Sequence, residues 1–103
     1  PRSTRLLAPS EMCIRDRSRD YIKAHGYGNE FGHSLGHGIG LDIHEGPVLS
    51  KNTNDTVQVN NCVTIEPGIY VDGLGGVRIE DDILITENGC EVFTKCTKDL
   101  IIL

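Results

Sequence analysis

The feature that most constrains the fold is a glycine-rich segment, residues 31–47, which also carries three of the four histidines. Glycine recurs in it at positions 32, 36, 38, 40 and 46. Such a density of glycine destabilises a helix and favours strands or turns in which the backbone approaches another group closely. We therefore expect extended structure here, and we expect the glycines on both sides of His37 to admit a metal ion and a substrate.

Composition divides the 103-residue chain into two parts near Ser18. Residues 1–19 hold five of the six arginines and no glycine, whereas residues 20–103 hold all 12 glycines and 13 of the 15 acidic residues. A folded unit seldom changes composition so abruptly. We interpret residues 1–18 as a foreign or artefactual leader, with an ordinary basic arm as the alternative, and residues 19–103 as the domain proper.

The overall charge and hydropathy argue against two classes of protein. The net charge is −5, whereas a protein that binds a nucleic-acid backbone normally presents a basic face. The sequence contains no run of 18 apolar residues that could span a membrane, and no pattern typical of a secretory signal. We expect a soluble cytoplasmic domain that binds neither nucleic acid nor membrane.

The pattern of apolar residues predicts mainly antiparallel β-structure with one helix. Alternation is clearest in Cys62–Glu66 and in Val77–Thr86, and the turn at residues 87–89 is typical of a hairpin that returns through residues 90–94. A helix is predicted over residues 18–25 and ends at Gly26. Three further strands are predicted over residues 41–44, 56–59 and 69–71; the first ends at residues 46–47, and the second is a short edge strand.

Two glutamates occupy strands that are otherwise largely apolar. Glu66 ends one predicted strand, and Glu80 lies within the other. A carboxylate in such a place is costly unless it is paired or binds a metal. With an imidazole from the glycine-rich segment, the two acids form an N/O donor set suited to manganese, cobalt, iron or zinc. Taken singly, Glu80 has the alternative of pairing with Arg78, and a histidine in a turn has the alternative of being solvated.

Three segments, His33–Pro47, Thr64–Tyr70 and Gly76–Asp82, resemble the successive signatures of one enzyme family. They are similar to those of Xaa-Pro aminopeptidases and proline dipeptidases, which belong to the pita-bread metallopeptidases. The resemblance runs from residue 19 to the C-terminus and implies an α+β fold, the second half of a pita-bread domain. A methionine aminopeptidase of the same fold is the alternative, but His33 and Arg78 favour the proline-specific branch.

The resemblance implies a pair of divalent metal ions as cofactors. The residues that correspond to the family's metal ligands are His37, Glu66 and Glu80, of which Glu80 bridges the two ions. Manganese is the implied metal, with cobalt or zinc as alternatives. Two such ions acidify a bound water and polarise an amide carbonyl. The implied reaction is hydrolysis of the bond before a proline, either at the second position of a peptide or in a dipeptide.

The resemblance also implies catalytic and substrate-binding residues. His44 corresponds to a catalytic histidine that contacts the substrate carbonyl, and Glu66 also corresponds to the residue that shuttles the proton. His33 and Arg78 correspond to substrate-binding residues. The implied partner is a peptide with proline at its second position, bound by an enzyme that is a homo-oligomer when intact.

One departure from the family pattern bears on activity. The family takes two further ligands, both aspartates, from a strand pair upstream of the first histidine segment. This sequence has no counterpart to them. Asp16 and Asp20 do not qualify, because they lie four residues apart near a predicted helix. We therefore expect the chain by itself to be an inactive fragment. A non-catalytic binding module of the same architecture is the other alternative, although such modules typically lose the metal ligands that are kept here.

Overall fold

A computed structural model of the chain describes residues 16–53 and 55–103. The predicted leader, residues 1–18, lies outside this part except for its last three residues, and the boundary near Ser18 stays a prediction. The described residues form helix α1, residues 16–24, and strands β1 (His37–Gly38), β2 (Glu45–Val48), β3 (Cys62–Ile65), β4 (Gly68–Val71), β5 (Gly75–Arg78), β6 (Asp81–Thr86) and β7 (Gly89–Val92). The predicted class, mainly antiparallel β-structure with one helix, is confirmed for this part of the chain.

The strands form a larger sheet and a separate ribbon, and all their pairings are antiparallel. The larger sheet has the order β2-β1-β3-β6-β7, and β4 pairs with β5 alone. At the centre of the sheet, Val63 of β3 lies opposite Ile83 of β6 and also opposite Gly38 of β1. This order brings the glycine-rich segment beside the strand that ends directly before Glu66.

The core lies against the central strands of the larger sheet. Its apolar side chains come from α1, from the segments that flank β1 and β2, and from strands β3 and β6. They are Ile22, Phe31, Leu35, Leu49, Val57, Val63, Ile83 and Ile85. Burial of apolar surface is the main stabilising contribution to such a fold. The site described below is therefore built on strands whose opposite side chains are packed in the core.

The helix and the last hairpin follow the prediction closely. Gly26 ends α1 as expected, because it adopts a φ of 88° that other residues rarely adopt, and the amide of Tyr27 then donates to the carbonyl of Ile22 at 3.1 Å. Strands β6 and β7 pair with Thr86 opposite Gly89, which leaves a two-residue turn. Within the described part of the chain, no helix is long and apolar enough to cross a membrane.

The long strand predicted over Val77–Thr86 is wrong as a single element. It is divided at residues 79–80 into β5, which pairs with β4, and β6, which pairs with β3. The two halves thus belong to different sheets, and alternation alone does not reveal a change of pairing partner. Glu80 consequently lies at a bend between two strands and not in the middle of one.

Two other predicted strands are also wrong. Residues 41–44 form bends, and pairing begins only at Glu45 and continues through Pro47. Proline is tolerated there because β2 is an edge strand, whose outer side needs no backbone donor. Residues 56–59 form no strand, and Val57 instead packs its side chain into the core.

Candidate active site

An open cleft of about 510 Å³ lies where the β1–β2 loop, the end of β3 and the β5–β6 bend meet. It is lined by five of the six site residues predicted from the sequence: His37, His44, Glu66, Arg78 and Glu80. These residues come from three separate segments of the chain, and the antiparallel order of the sheet brings them to one side. The sixth predicted residue, His33, does not line this cleft.

His37 is held in a defined orientation at the bottom of the cleft. It is 8% exposed, and its backbone amide donates to the hydroxyl oxygen of Thr64 at 3.0 Å. Its ring atom Nδ1 lies 2.9 Å from the carbonyl oxygen of Gly38. Because a carbonyl only accepts, Nδ1 carries the hydrogen and Nε2 of the neutral ring keeps its lone pair. That lone pair is free for another group in the cleft.

Glu66 faces this lone pair from the end of β3. Its Oε1 atom lies 3.9 Å from Nε2 of His37, and the side chain is only 13% exposed. The backbone of Glu66 is fixed by the donation of its amide to the carbonyl of Leu35 at 2.7 Å. A largely buried nitrogen lone pair and a carboxylate oxygen therefore face each other across a gap too wide for a hydrogen bond.

The glycines beside His37 are required by neighbouring backbone. A Cβ atom on Gly36 would overlap the carbonyl oxygen of Thr64, and one on Gly38 would overlap the carbonyl oxygen of Gly46. The strands on both sides of β1 thus approach its backbone more closely than any side chain would permit. Close approach is confirmed for these backbone neighbours, and the approach of a metal ion or a substrate stays a prediction.

His44 adds a second imidazole above the first. Its ring centroid lies 4.3 Å from that of His37, with the ring planes inclined by 52°. His44 is exposed and is the last of the bend residues 41–44, so it lines the mouth of the cleft while the buried His37 lies at its base. An imidazole in this position can donate an N–H to a group bound in the cleft.

Arg78 and Glu80 lie on the opposite wall, at the β5–β6 bend. Their side chains approach to 3.7 Å and are 50% and 38% exposed. Ion pairs this exposed contribute little to stability, because solvent screens them. The pairing that the sequence offered as an alternative role for Glu80 is present, while the same carboxylate also lines the cleft.

His33 lies outside the cleft, against the aromatic rings of Phe31 and Tyr70. Its Nδ1 atom lies 2.7 Å from the carbonyl of Ser34 and must carry the hydrogen, so its Nε2 accepts from the hydroxyl of Tyr70 at 3.2 Å. A Cβ on Gly68 would come 2.8 Å from the hydroxyl of Tyr70 and 3.0 Å from this nitrogen, so both side chains would have to shift. The His33 ring is thus oriented by residues of two other segments.

The donor set fits part of the ligand shell of a divalent metal. The Nδ1–H group of His37 donates to the carbonyl of Gly38, as one N–H of a metal-binding histidine commonly does, and Glu66 supplies an oxygen near Nε2. Glu80 faces Arg78 in this structure. Among residues 16–53 and 55–103, no three side chains of His, Cys, Asp or Glu are grouped so that they could hold an ion together. The metal ligands therefore stay a prediction.

Sequence reasoning missed three residues that shape the site. Thr64 shares the face of its strand with Glu66 by alternation, and it is 2% exposed and its hydroxyl oxygen accepts the amide of His37. Tyr70 orients His33, and Asp82 lines the cleft beside Glu80. The alternation of β3 and β6 could have located Thr64 and Asp82, since residues two positions apart share a face.

Comparisons with known proteins agree with this architecture. The model of Metallopeptidase family M24 matches residues 13–87. The Xaa-Pro dipeptidase of Pyrococcus furiosus is 52% identical over 84 residues, which are 82% of this chain and 24% of that protein. Among solved structures, the Xaa-Pro dipeptidase from Bacillus anthracis is 59% identical with a TM-score of 0.80, covering 82% of this chain and 24% of the other. The X-Pro aminopeptidase from Thermotoga maritima is 42% identical with a TM-score of 0.84, covering 90% and 26%.

The chain belongs to metallopeptidase family M24. Its fold is that of part of the pita-bread prolidases and aminopeptidases, as the resemblance implied. The chain spans about a quarter of the length of the relatives it matches.

Proposed function

We propose that this chain is the C-terminal part of the catalytic domain of a peptidase that hydrolyses the bond before proline. The substrate would be a dipeptide or a peptide with proline at its second position. The observation that carries the proposal is the cleft in which His37, His44, Glu66, Arg78 and Glu80 come together. Support comes from relatives named as Xaa-Pro dipeptidases and aminopeptidases. Since both names occur, the proposal concerns the reaction that they share.

His37, Glu66 and Glu80 would hold divalent metal ions, with manganese proposed and cobalt or zinc as alternatives. When bound, two such ions would supply a nucleophilic water near neutral pH and polarise the substrate carbonyl. His37 suits this role because its hydrogen is committed to Gly38, which leaves Nε2 as a donor. Glu66 and Glu80 line the same cleft and would each contribute carboxylate oxygen.

The chain's own residues would then manage protons and charge. The largely buried carboxylate of Glu66 lies at the base of the cleft. It can accept a proton from the attacking water and return it to the leaving proline nitrogen. His44 at the mouth can donate an N–H to the oxyanion that develops on the former carbonyl. Arg78 orders the carboxylate of Glu80, and His33 would contact the proline side of the substrate.

We further propose that the 103-residue chain alone does not turn over substrate. Within its described part, His37 and Glu66 are the two potential ligands that face each other, and no third one joins them. Two ions held by so few donors would dissociate readily. Incubation of the purified chain with Mn²⁺ or Co²⁺ and an Xaa-Pro dipeptide should therefore give no more product than a His37→Ala control, and activity above that control would contradict the proposal.

The function itself is best tested in a chimera. The B. anthracis dipeptidase is similar enough for residues 31–92 of this chain to replace its matching segment. The chimera should hydrolyse an Xaa-Pro dipeptide in the presence of Mn²⁺. Glu66→Gln should then lower kcat by about 10²- to 10⁴-fold as expected for a general acid–base, and His44→Ala by about 10²- to 10³-fold as expected for an oxyanion donor.

A matched control is available outside the cleft. His25 lies just after α1, its ring bonds to the carbonyl of Tyr21 at 2.8 Å, and it does not line the cleft. The wild-type segment should be extended to residue 19 for this control, and His25→Ala should leave kcat unchanged. A folded chimera that is inactive with every metal, or one whose activity survives His37→Ala, would refute the proposed function.

A further inference from the structure

The segment that follows β7 packs back against the start of β6. The amide of Phe93 donates to the carbonyl of Asp82 at 2.8 Å, and the hydroxyl oxygen of Thr94 accepts the amide of Asp82 at 3.0 Å. Four residues later, the ammonium of Lys98 lies 2.9 Å from Oδ1 of Asp81. All three partners lie beyond residue 87, where the family match ends. This segment has no part in the function proposed above.

The Lys98–Asp81 pair differs from an ordinary surface ion pair. Asp81 begins β6 on the same face as Ile83 and Ile85, which are both buried in the core. The side chains of Asp81 and Lys98 are 25% and 43% exposed, but the oxygen that faces Lys98 is itself buried and accepts no hydrogen bond from the described residues, so the ion pair is its polar contact. A carboxylate oxygen shielded from water needs a charged or polar partner, and removal of that partner leaves the charge uncompensated. Lys98 is the partner that the described residues supply.

This anchor lies directly beside Glu80 in the chain. Glu80 lies at the bend between β5 and β6, and its own side-chain contact is the wide, exposed approach to Arg78 at 3.7 Å. On its N-terminal side, the amide of Ile79 donates to the carbonyl of Pro67 at 3.3 Å. On its C-terminal side, Asp81 and Asp82 pair with β3, and the segment after β7 adds two backbone hydrogen bonds at Asp82 and the ion pair at Asp81. A bend is fixed only when both of its ends are fixed.

We propose that Lys98 is a positioning residue for the carboxylates of the cleft. By pairing with Asp81, it reinforces the start of β6, which also pairs with β3, and thereby the places of Glu80 and Asp82 on the cleft wall. The inference rests on the proposed function, because the benefit of placing these carboxylates is the binding of divalent metal. Lys98 itself touches neither substrate nor metal.

The test uses the full chain and Mn²⁺, whose free ion is measured by its electron paramagnetic resonance signal. Lys98→Met removes the charge and keeps the length of the side chain, and it should weaken Mn²⁺ binding by about 10-fold or more, as loss of an outer-shell partner does. Lys98→Arg keeps the charge and should restore the parent affinity. Lys95→Met is the matched control, since Lys95 is exposed in the same segment and forms no ion pair with the described residues; it should leave the affinity unchanged.

Amide resonances of the ¹⁵N-labelled chain give a second readout that needs no metal. Lys98→Met should shift the amides of Glu80 and Asp82, Lys98→Arg should return them to their original positions, and Lys95→Met should not move them. If the unmodified chain binds no Mn²⁺, as expected for a fragment with so few donors among its described residues, these resonances alone decide the inference, and the proposed function is judged in the chimera. Unmoved amides, or equal Mn²⁺ affinity in Lys98→Met and the parent, would overturn it.

A fold control keeps the outcome clear. Circular dichroism would establish whether Lys98→Met is folded. If it is not, the neutral pair Asp81→Asn with Lys98→Met replaces it, because that pair leaves no unpaired buried charge. The double variant should show the same loss of Mn²⁺ affinity and the same amide shifts, and a parent-like result would again overturn the inference.

Discussion

The two walls of the cleft are built differently. On one wall, His37 and Glu66 are largely buried, each has its backbone fixed by a hydrogen bond, and both belong to or adjoin the central strands. On the other wall, Arg78 and Glu80 are about half exposed and lie at a bend between two sheets. Both walls carry side chains that the proposed chemistry needs.

Because of this difference, substitutions on the buried wall should mainly change stability, and substitutions on the exposed wall should mainly change activity. A residue on the buried wall is supported by the same packing that holds the core together, so changes around it should unfold the protein before they alter the site. A residue on the exposed wall can be changed with little effect on folding, because solvent already screens it. Substitutions in the two walls therefore test the contrast directly.

The largest loss of stability is expected from Gly36→Ala. The new Cβ would overlap the carbonyl oxygen of Thr64, which is backbone and cannot move aside. Overpacking typically costs about 1–3 kcal/mol, and a backbone clash belongs at or above the top of that range. Urea unfolding measures the change. Gly32→Ala is the control, since a Cβ there meets no described atom within 4 Å, and equal losses in the two variants would contradict the close packing of β1.

Leu35→Ala should cost nearly as much. Leu35 is 0% exposed and lies two residues before His37. Removing a buried leucine side chain typically costs about 2–5 kcal/mol, and the more rigid the surroundings, the higher the cost. Leu41→Ala is the same substitution at a fully exposed site on the cleft rim and should change the free energy of unfolding by less than about 0.5 kcal/mol. Similar values for both would show that the buried wall is not packed as described.

Thr64→Val should have an intermediate effect. Valine keeps the shape of threonine but leaves the buried amide of His37 without its acceptor, a loss of about 1–3 kcal/mol. Thr64→Ser restores the hydroxyl and should recover part of that loss. The part not recovered is the packing energy of the methyl group that serine lacks. Unfolding in urea measures the free energy, and amide hydrogen exchange at His37 reports the bond itself. Unchanged protection of that amide in Thr64→Val would contradict the assigned bond.

Arg78→Gln should have the smallest effect on stability. The pair with Glu80 is exposed and wide, so its loss should lower the free energy of unfolding by less than about 0.5 kcal/mol. In the active chimera, however, the same substitution should reduce kcat/KM for an Xaa-Pro dipeptide at least tenfold, since Arg78 orders Glu80 under the proposed function. A stability loss as large as that of Thr64→Val would abolish the contrast between the two walls.

Much of the fold could be predicted because local pattern and turn chemistry agree with it. Gly26 ends α1, and the turn at Glu87–Asn88 forms the predicted hairpin. The break at residues 79–80 could not be predicted, because an alternating pattern continues across it while the pairing partner changes from β4 to β3. Register and partner are properties of the whole sheet, which a single strand's sequence does not contain.

The candidate site divides in the same way. The sequence by itself determined which residue types are present and in which order, because three segments with specific spacing suffice to indicate the family and the chemistry of its side chains. Only the tertiary structure decided that Thr64 is buried under His37, that the glycines beside it accommodate neighbouring carbonyls, and that Lys98 reaches Asp81. The physical reason is that these contacts join residues far apart in the chain, and their distances follow from packing and not from local propensity.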